Sequence, residues 1–176
     1  MKKIFSLIVI FSFSILLLGC GEERLDHRSI LDNETDTVLS LGDEKAVFDD
    51  ILGERALVES RFETDFEGVQ YTYLNENIRV FFRDGIAVQI IVYDELADRF
   101  EFRDMSFNMT AQEVERNFTS HFGRDLLIHS QRFYDANGQN IESHDEAYYI
   151  AEAVLSELTH VPSALRIRSQ HLMFPE

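Results

Sequence analysis

The sequence predicts an α+β fold in which short helices pack on an antiparallel β meander. Two observations support this prediction. Apolar and polar residues alternate repeatedly over residues 69–93, which is the period-two pattern of half-buried strands. On both sides of this region, short segments carry apolar residues four apart and end at a glycine, a pattern typical of helices. The 15 phenylalanines and the many aliphatic residues are sufficient for one hydrophobic core.

Strands are predicted at 69–73, 78–83 and 86–93, and the turn between the last two allows two registers. A two-residue Asp84-Gly85 loop pairs Arg83 with Ile86. A three-residue loop pairs Phe82 with Ile86 instead and gathers the apolar side chains on one face. We expect the three-residue loop, with one face formed by Ile78, Val80, Phe82, Ile86, Val88, Ile90 and Val92.

The opposite face of this hairpin is the candidate binding surface. In the expected register it carries Arg79, Phe81, Arg83, Ile91 and Tyr93. Arginine and aromatic side chains are enriched among the residues that dominate protein–protein binding. The sequence therefore predicts a partner-binding surface here, unless a helix or the other half of the chain covers it.

Helices are predicted at 43–52, 110–122 and 143–159. The second and third begin with capping boxes, in which Thr110 is followed by Glu113 and Ser143 by Glu146. Pro162 prevents the third helix from continuing. Further strands are predicted at 126–134 and 164–168, with a turn at 135–138.

The chain begins with a segment that predicts export. Two lysines precede residues 4–18, which are apolar except for three serines. A helix of these fifteen residues would be about 22 Å long, shorter than the ~30 Å hydrocarbon core of a bilayer. The segment ends in Leu-Leu-Gly-Cys, and Cys20 is the only cysteine in the chain.

This Leu-Leu-Gly-Cys sequence resembles the lipobox of bacterial lipoproteins. The resemblance implies removal of residues 1–19 as a signal peptide and attachment of a diacylglyceryl group to Cys20. Two acyl chains anchor a protein stably, so the expected location is the extracytoplasmic face of the cell membrane, or an outer membrane if the host has one. The alternatives to lipidation are an uncleaved signal anchor and a cleaved chain with a free Cys20 thiol.

Residues 20–37 are polar and charged, and we expect the acylated N-terminus to continue into a flexible tether. Residues 21–37 could extend over about 55–60 Å. Residues 38–176 are expected to form a single α+β domain.

Within that domain, a helix that ends at a glycine occurs twice, before Gly53 and before Gly123, and each is followed by predicted strands. This arrangement resembles the tandem helix-plus-sheet repeats of the β-lactamase-inhibitor-protein-like fold, which also occurs in SmpA/OmlA-like lipoproteins. The resemblance implies repeats at 38–104 and 105–176. It covers residues 38–134 best, because the repeat implies strands where we predict a capped helix at 143–159. It implies no functional residue.

The formal charge of the chain is −16, and −18 once the segment containing Lys2 and Lys3 is removed. Such a charge disfavours nucleic acid and anionic lipid headgroups as partners. The lipid on Cys20 would then be the attachment to the membrane. A basic partner or bound cations would complement the charge, which could equally serve only to keep the surface solvated.

No catalytic, metal or cofactor site is predicted. The six histidines form no HExxH motif, and the chain contains neither GxSxG nor a phosphate-binding glycine loop. We therefore expect a lipid-anchored binding protein whose partner is an unidentified envelope protein. The alternatives are an inhibitor or modulator of an envelope enzyme, and a hydrolase with an unrecognised histidine and carboxylate site. Histidines that converge with a carboxylate would favour the hydrolase.

Overall fold

A computed structural model of the protein describes residues 25–53, 55–58, 68–124, 126–157, 159 and 161–173. The expected signal peptide and Cys20 lie outside the described residues. Within those ranges, no helix has both the length and the apolar character needed to cross a bilayer.

The described residues form three α-helices and twelve strands. The helices are α1 (Lys45–Leu52), α2 (Ala111–Asn117) and α3 (Gln170–Met173). The strands are, in chain order, β1 (Ser29–Asp32), β2 (Thr37–Ser40), β3 (Arg55–Val58), β4 (Val69–Tyr73), β5 (Ile78–Arg83), β6 (Ile86–Tyr93), β7 (Phe100–Phe102), β8 (Ser120–Arg124), β9 (Leu127–Tyr134), β10 (Asn140–Ile141), β11 (Tyr149–Ser156) and β12 (Pro162–Ser169). The predicted α+β class with an antiparallel meander is confirmed.

Nine strands form the main sheet, in the order β10-β9-β11-β12-β6-β5-β4-β3, with β8 also paired to β9. A small sheet has the order β2-β1-β7. Along the chain, α1 is followed by the main-sheet strands β3 to β6, and α2 is followed by the main-sheet strands β8, β9, β11 and β12. Each half of the chain thus supplies a helix and then a run of four antiparallel strands, and the last strands of the two runs, β6 and β12, pair at the centre.

The two faces of the main sheet differ in what covers them. The inner face packs against α1, α2 and the small sheet, which contribute Phe48, Val114 and Ile30 to the main hydrophobic core. The strands contribute the alternate residues of the period-two pattern, among them Ile78, Val80, Phe82, Ile90, Val92, Ala151, Ala153, Leu155, Leu165 and Ile167. The outer face is the opposite side of this sheet.

The predicted helix at 110–122 begins as expected but is shorter. Thr110 and Glu113 form the predicted capping box, and the helix ends at Asn117. Phe118 stays buried in the core, whereas Phe122 lies on β8 and is 44 % exposed. The prediction fails after residue 117 because β8 pairs with β9, which offers those backbone groups ladder hydrogen bonds.

The predicted helix at 143–159 is wrong, because residues 149–156 form β11. This strand lies between β9 and β12, so both of its edges are paired, and seven of its eight residues are buried. A strand buried on both faces is a continuous apolar run, which periodicity alone does not distinguish from a buried helix. The predicted strands at 126–134 and 164–168 correspond to β9 and β12.

The predicted register of the β5–β6 hairpin is also wrong. The loop has two residues, Asp84 and Gly85, both with positive φ (51° and 80°), and Arg83 pairs with Ile86. Such a turn matches the right-handed twist of the strands. A bulge at Val88 then shifts the pairing by one residue, so Val88 joins the outer face while Ile90 returns to the core.

The N-terminal segment is part of the fold beyond residue 25, which corrects the predicted tether at 20–37. β1 pairs with both β2 and β7, and Ile30 is fully buried. The Asp32 carboxylate is buried and lies 2.7 Å from an Arg99 guanidinium nitrogen. The domain therefore begins about twelve residues earlier than the predicted boundary at residue 38.

His27 packs this N-terminal segment against β9 and β11 of the main sheet. Its ring stacks on Tyr134 at 5.1 Å between ring centres and lies 4.8 Å from the ring of Tyr149. Gly138, at φ 77°, lies so close that an added Cβ would overlap the imidazole. Because the two tyrosines hold the ring in place, the imidazole cannot move away without losing these contacts.

Gly138→Ala is therefore expected to destabilise the protein by about 1–2 kcal/mol more than Gly85→Ala. Gly85 is a matched control, because its φ is 80° and no other atom lies within 4 Å of an added Cβ. Both variants place alanine at a positive φ, which lowers stability, but only Gly138→Ala adds the overlap with His27. Urea unfolding measures the difference, and equal destabilisation would show that His27 is not held against the sheet.

Candidate functional site on the outer sheet face

The outer face carries a row of residues that the strand registers bring side by side. Starting from β9, adjacent strands place Gln131 beside Glu152, Glu152 beside Arg166, Arg166 beside Ile91 and Ile91 beside Arg79. Side chains directly opposite in antiparallel strands lie about 5 Å apart at Cβ and can interact. Residues far apart in the sequence thus form one continuous surface.

The five residues of the predicted binding surface do lie on this face, but two of them are not accessible. Phe81 is 6 % exposed and Ile91 is 7 % exposed. They form a second apolar cluster with Val88, on which Leu172 and Met173 of α3 pack. The prediction that Phe81 and Ile91 are available to a partner is therefore wrong.

α3 is held over this end of the face by a predicted site residue. Arg83 Nη1 donates a hydrogen bond of 2.5 Å to the backbone carbonyl of Met173. Arg83 therefore fixes the covering helix. Arg79 and Tyr93 remain partly exposed, and the Arg79 guanidinium lies 5.1 Å from the centre of the Tyr93 ring, within cation–π range.

At the centre of the row, Glu152 is 1 % exposed and has hydrogen-bond partners on β9 and an ion-pair partner on β12. Its Oε1 lies 2.9 Å from His129 Nδ1 and 3.2 Å from Arg166 Nη1. Its Oε2 accepts a hydrogen bond of 2.6 Å from Gln131 Nε2. The middle position of β11 produces this arrangement, because Gln131 of β9 and Arg166 of β12 lie directly beside Glu152 and His129 lies two residues along β9.

These donors keep the buried carboxylate ionised. Burial alone would raise the pKa of Glu152, but the Arg166 charge and the hydrogen bonds from His129 and Gln131 outweigh it and hold that pKa below its ordinary value. Burial lowers the pKa of Arg168, and the negative charge of Glu152 opposes this shift. Glu152 is thus a fixed negative charge among several positive ones.

Positive charge dominates this face of an otherwise acidic protein. It carries Arg79, Arg83, Arg166 and Arg168 but, of these, only Arg166 has a carboxylate oxygen within 4.0 Å in the described part of the chain. Among the described residues, Glu152 is the one carboxylate within 4.0 Å of any of these four arginines, on a chain whose formal charge is −16. Repulsion among these arginines costs stability, so the cluster calls for a functional explanation.

The five described histidines do not converge. His27 lies between two tyrosines, His121 bonds to Ser130, His129 to Glu152 and His144 to Asp145, and His171 stacks on Tyr148. His160 lies outside the described residues. In the part of the chain that the structure describes, no group of three or more histidine, cysteine, aspartate or glutamate residues could hold a metal ion.

The His129–Glu152 pair could orient an imidazole for acid–base chemistry, but its surroundings do not supply the remaining groups. The other side of the ring stacks on Phe122, 5.1 Å between centres and 7° from parallel. Among its described polar and ring contacts, His129 therefore meets no nucleophile.

Comparison of the chain with protein-family models, curated proteins and solved structures gave no match. The resemblance to β-lactamase-inhibitor-protein-like lipoproteins therefore stays a prediction.

Proposed function

We propose that the protein is a lipid-anchored binding protein of the extracytoplasmic cell envelope, and that the outer sheet face is its recognition surface. The observation that supports this most is the cluster of arginines around Glu152. A face that served only packing would be apolar, because buried polar groups are costly unless paired. Arg166 keeps 25 % of its side-chain surface exposed, within reach of a partner.

The proposed anchor would keep this surface close to the membrane. Asp26 already bonds to Arg28 and Ser29 within the fold, so only residues 21–25 separate it from Cys20. Six Cα–Cα steps span at most about 20 Å. A partner would therefore be an envelope component close to the bilayer, and an envelope enzyme that the protein inhibits or modulates fits that description. The acidic surface leaves nucleic acid an unfavourable partner.

Affinity capture from an envelope extract tests the proposal. A double variant, Arg79→Glu with Tyr93→Ala, changes two partly exposed groups of the outer face and is expected to lose the protein that the unchanged chain captures. Arg116→Glu is the matched control, since it makes the same charge reversal at an exposed position of α2. Equal capture by all three chains would rule out the outer face as the recognition surface.

A further inference from the structure

We infer that the outer face holds an oxyanion site, in which a carboxylate or phosphate group binds among Arg79, Arg166 and Arg168. This inference rests on the proposed function and names the chemistry that the surface recognises. It starts from hydrogen-bond donors that have no acceptor.

Four unpartnered donors lie on one face. Among the described residues, the buried side-chain nitrogens without a hydrogen-bond partner are His27 Nε2, Gln70 Nε2, Arg79 Nε, Arg132 Nε, Arg166 Nε and Arg168 Nε. Four of these residues lie on the outer face according to the strand registers: Gln70, Arg79, Arg166 and Arg168. Arg132 does not. Buried donors in folded proteins are almost always paired. Since all four are N–H groups, the missing partner is an acceptor.

Their spacing permits a shared ligand. Arg166 and Arg79 flank Ile91 in one row, two strands apart, and their Cα atoms are therefore about 10 Å from each other. Arg168 follows Arg166 by two residues on β12, about 7 Å along the strand. Side chains as long as arginine can converge over these distances on a single group bound above Ile91.

The free edges of these guanidiniums have the chemistry of an oxyanion site. The Nε and one Nη of arginine form a planar fork that binds carboxylate or phosphate through two parallel hydrogen bonds. Arg166 places Nη1 near Glu152, whereas its buried Nε has no hydrogen-bond partner. Glu152 is contacted by His129, Gln131 and Arg166 Nη1, and among the described residues no hydrogen bond joins it to Arg79 or Arg168.

Charge gives an independent argument for an anion. Arg79 and Arg168 have no carboxylate within 4.0 Å among the described residues, and one glutamate faces four arginines on this surface. An added anion would relieve the repulsion among them.

The experiment is a titration of the arginine Nε–H resonances by NMR. The full chain is purified in a nonionic detergent, which adds no anion, and inorganic phosphate or acetate is added against sodium chloride at matched ionic strength. We expect saturable shifts at Arg79, Arg166 and Arg168 but not at exposed Arg116. The tighter of the two probes distinguishes a phosphate-bearing from a carboxylate-bearing ligand. Absence of saturable shifts with both probes would overturn the inference.

Arg168→Lys keeps the charge and removes the fork, so it separates oxyanion binding from simple attraction. Loss of a charge-assisted hydrogen bond is expected to weaken binding of the tighter probe about tenfold. Arg116→Lys is the control and should not change it. Unchanged affinity in a folded Arg168→Lys protein would contradict the fork. Lost partner capture in the Arg79/Tyr93 variant together with no anion binding would overturn this inference and leave the proposed function standing. Saturable anion binding without any partner captured through the outer face would support this inference and overturn the proposed function.

Discussion

Replacing Glu152 by alanine is expected to destabilise the protein by about 3–5 kcal/mol. The side chain is 2 % exposed, and its removal leaves Arg166, His129 and Gln131 facing a cavity without their shared acceptor. The arginines of the outer face would also lose the one carboxylate that lies within 4.0 Å of any of them among the described residues. Denaturant unfolding measures the change, and Glu115→Ala at an exposed position of α2 is the control.

The size of this effect should depend on pH in a defined direction. The pKa of Glu152 is lowered in the folded protein from an ordinary value of 4.5. Its contribution to stability is therefore fully present above pH 4.5 and is lost as the pH falls through the folded-state pKa. The difference between the unchanged protein and Glu152→Ala should shrink below pH 4.5. A difference that grows on acidification would contradict the proposed ion pairing.

The second large effect is expected at Cys20. Under the proposed anchoring, Cys20→Ser abolishes incorporation of labelled fatty acid, because no other cysteine is present to accept the lipid. The strongly acidic chain has no polybasic segment that could replace a two-chain anchor. Fatty-acid labelling and the mass of the N-terminal peptide measure the result, with Ser12→Ala as a control that keeps the lipobox-like sequence.

The alternatives to lipidation give different results in the same experiment. An uncleaved signal anchor would leave the membrane-bound chain starting at Met1 without added lipid. A cleaved chain with a free thiol would react with maleimide at Cys20. Either result with the unchanged sequence would contradict the lipoprotein proposal.

Elements whose signals are local in the sequence could be predicted. The capping box of α2, the glycine that ends α1 and the alternation of β4 to β6 depend on residues close together, and each occurs in the structure. The same alternation placed Arg79 and Tyr93 on one face. These two residues were therefore within reach of sequence reasoning.

Elements that depend on distant partners could not be predicted. β1 is only four residues long and is stable because β2 and β7 pair with it. The helical spacing of Ile150, Ala151 and Val154 is compatible with the predicted helix, but pairing with β9 and β12 decides the structure of β11. The two-residue loop pairs Arg83 with Ile86 in place of the predicted pairing, and a bulge at Val88 then shifts the hairpin register by one more residue.

The candidate site was missed for the same reason. Glu152 lay in the misassigned segment, and its partners come from β9 and β12. Arg166 and Arg168 alternate with apolar residues, which places them on one face of a strand but gives no sign of what they meet. Only the order of strands in the sheet brings these residues beside Arg79.

Photo-crosslinking in living host cells tests most directly whether the outer face is the recognition surface. Benzoylphenylalanine is introduced in place of Tyr93 or of Phe122, which lies on the outer face and is 44 % exposed, or in place of Val47, which is 38 % exposed on α1. We expect a discrete adduct from positions 93 and 122 but not from 47, and its loss when Arg79→Gln and Arg168→Gln are added. Adducts that form equally from all three positions, or only from position 47, would contradict the account.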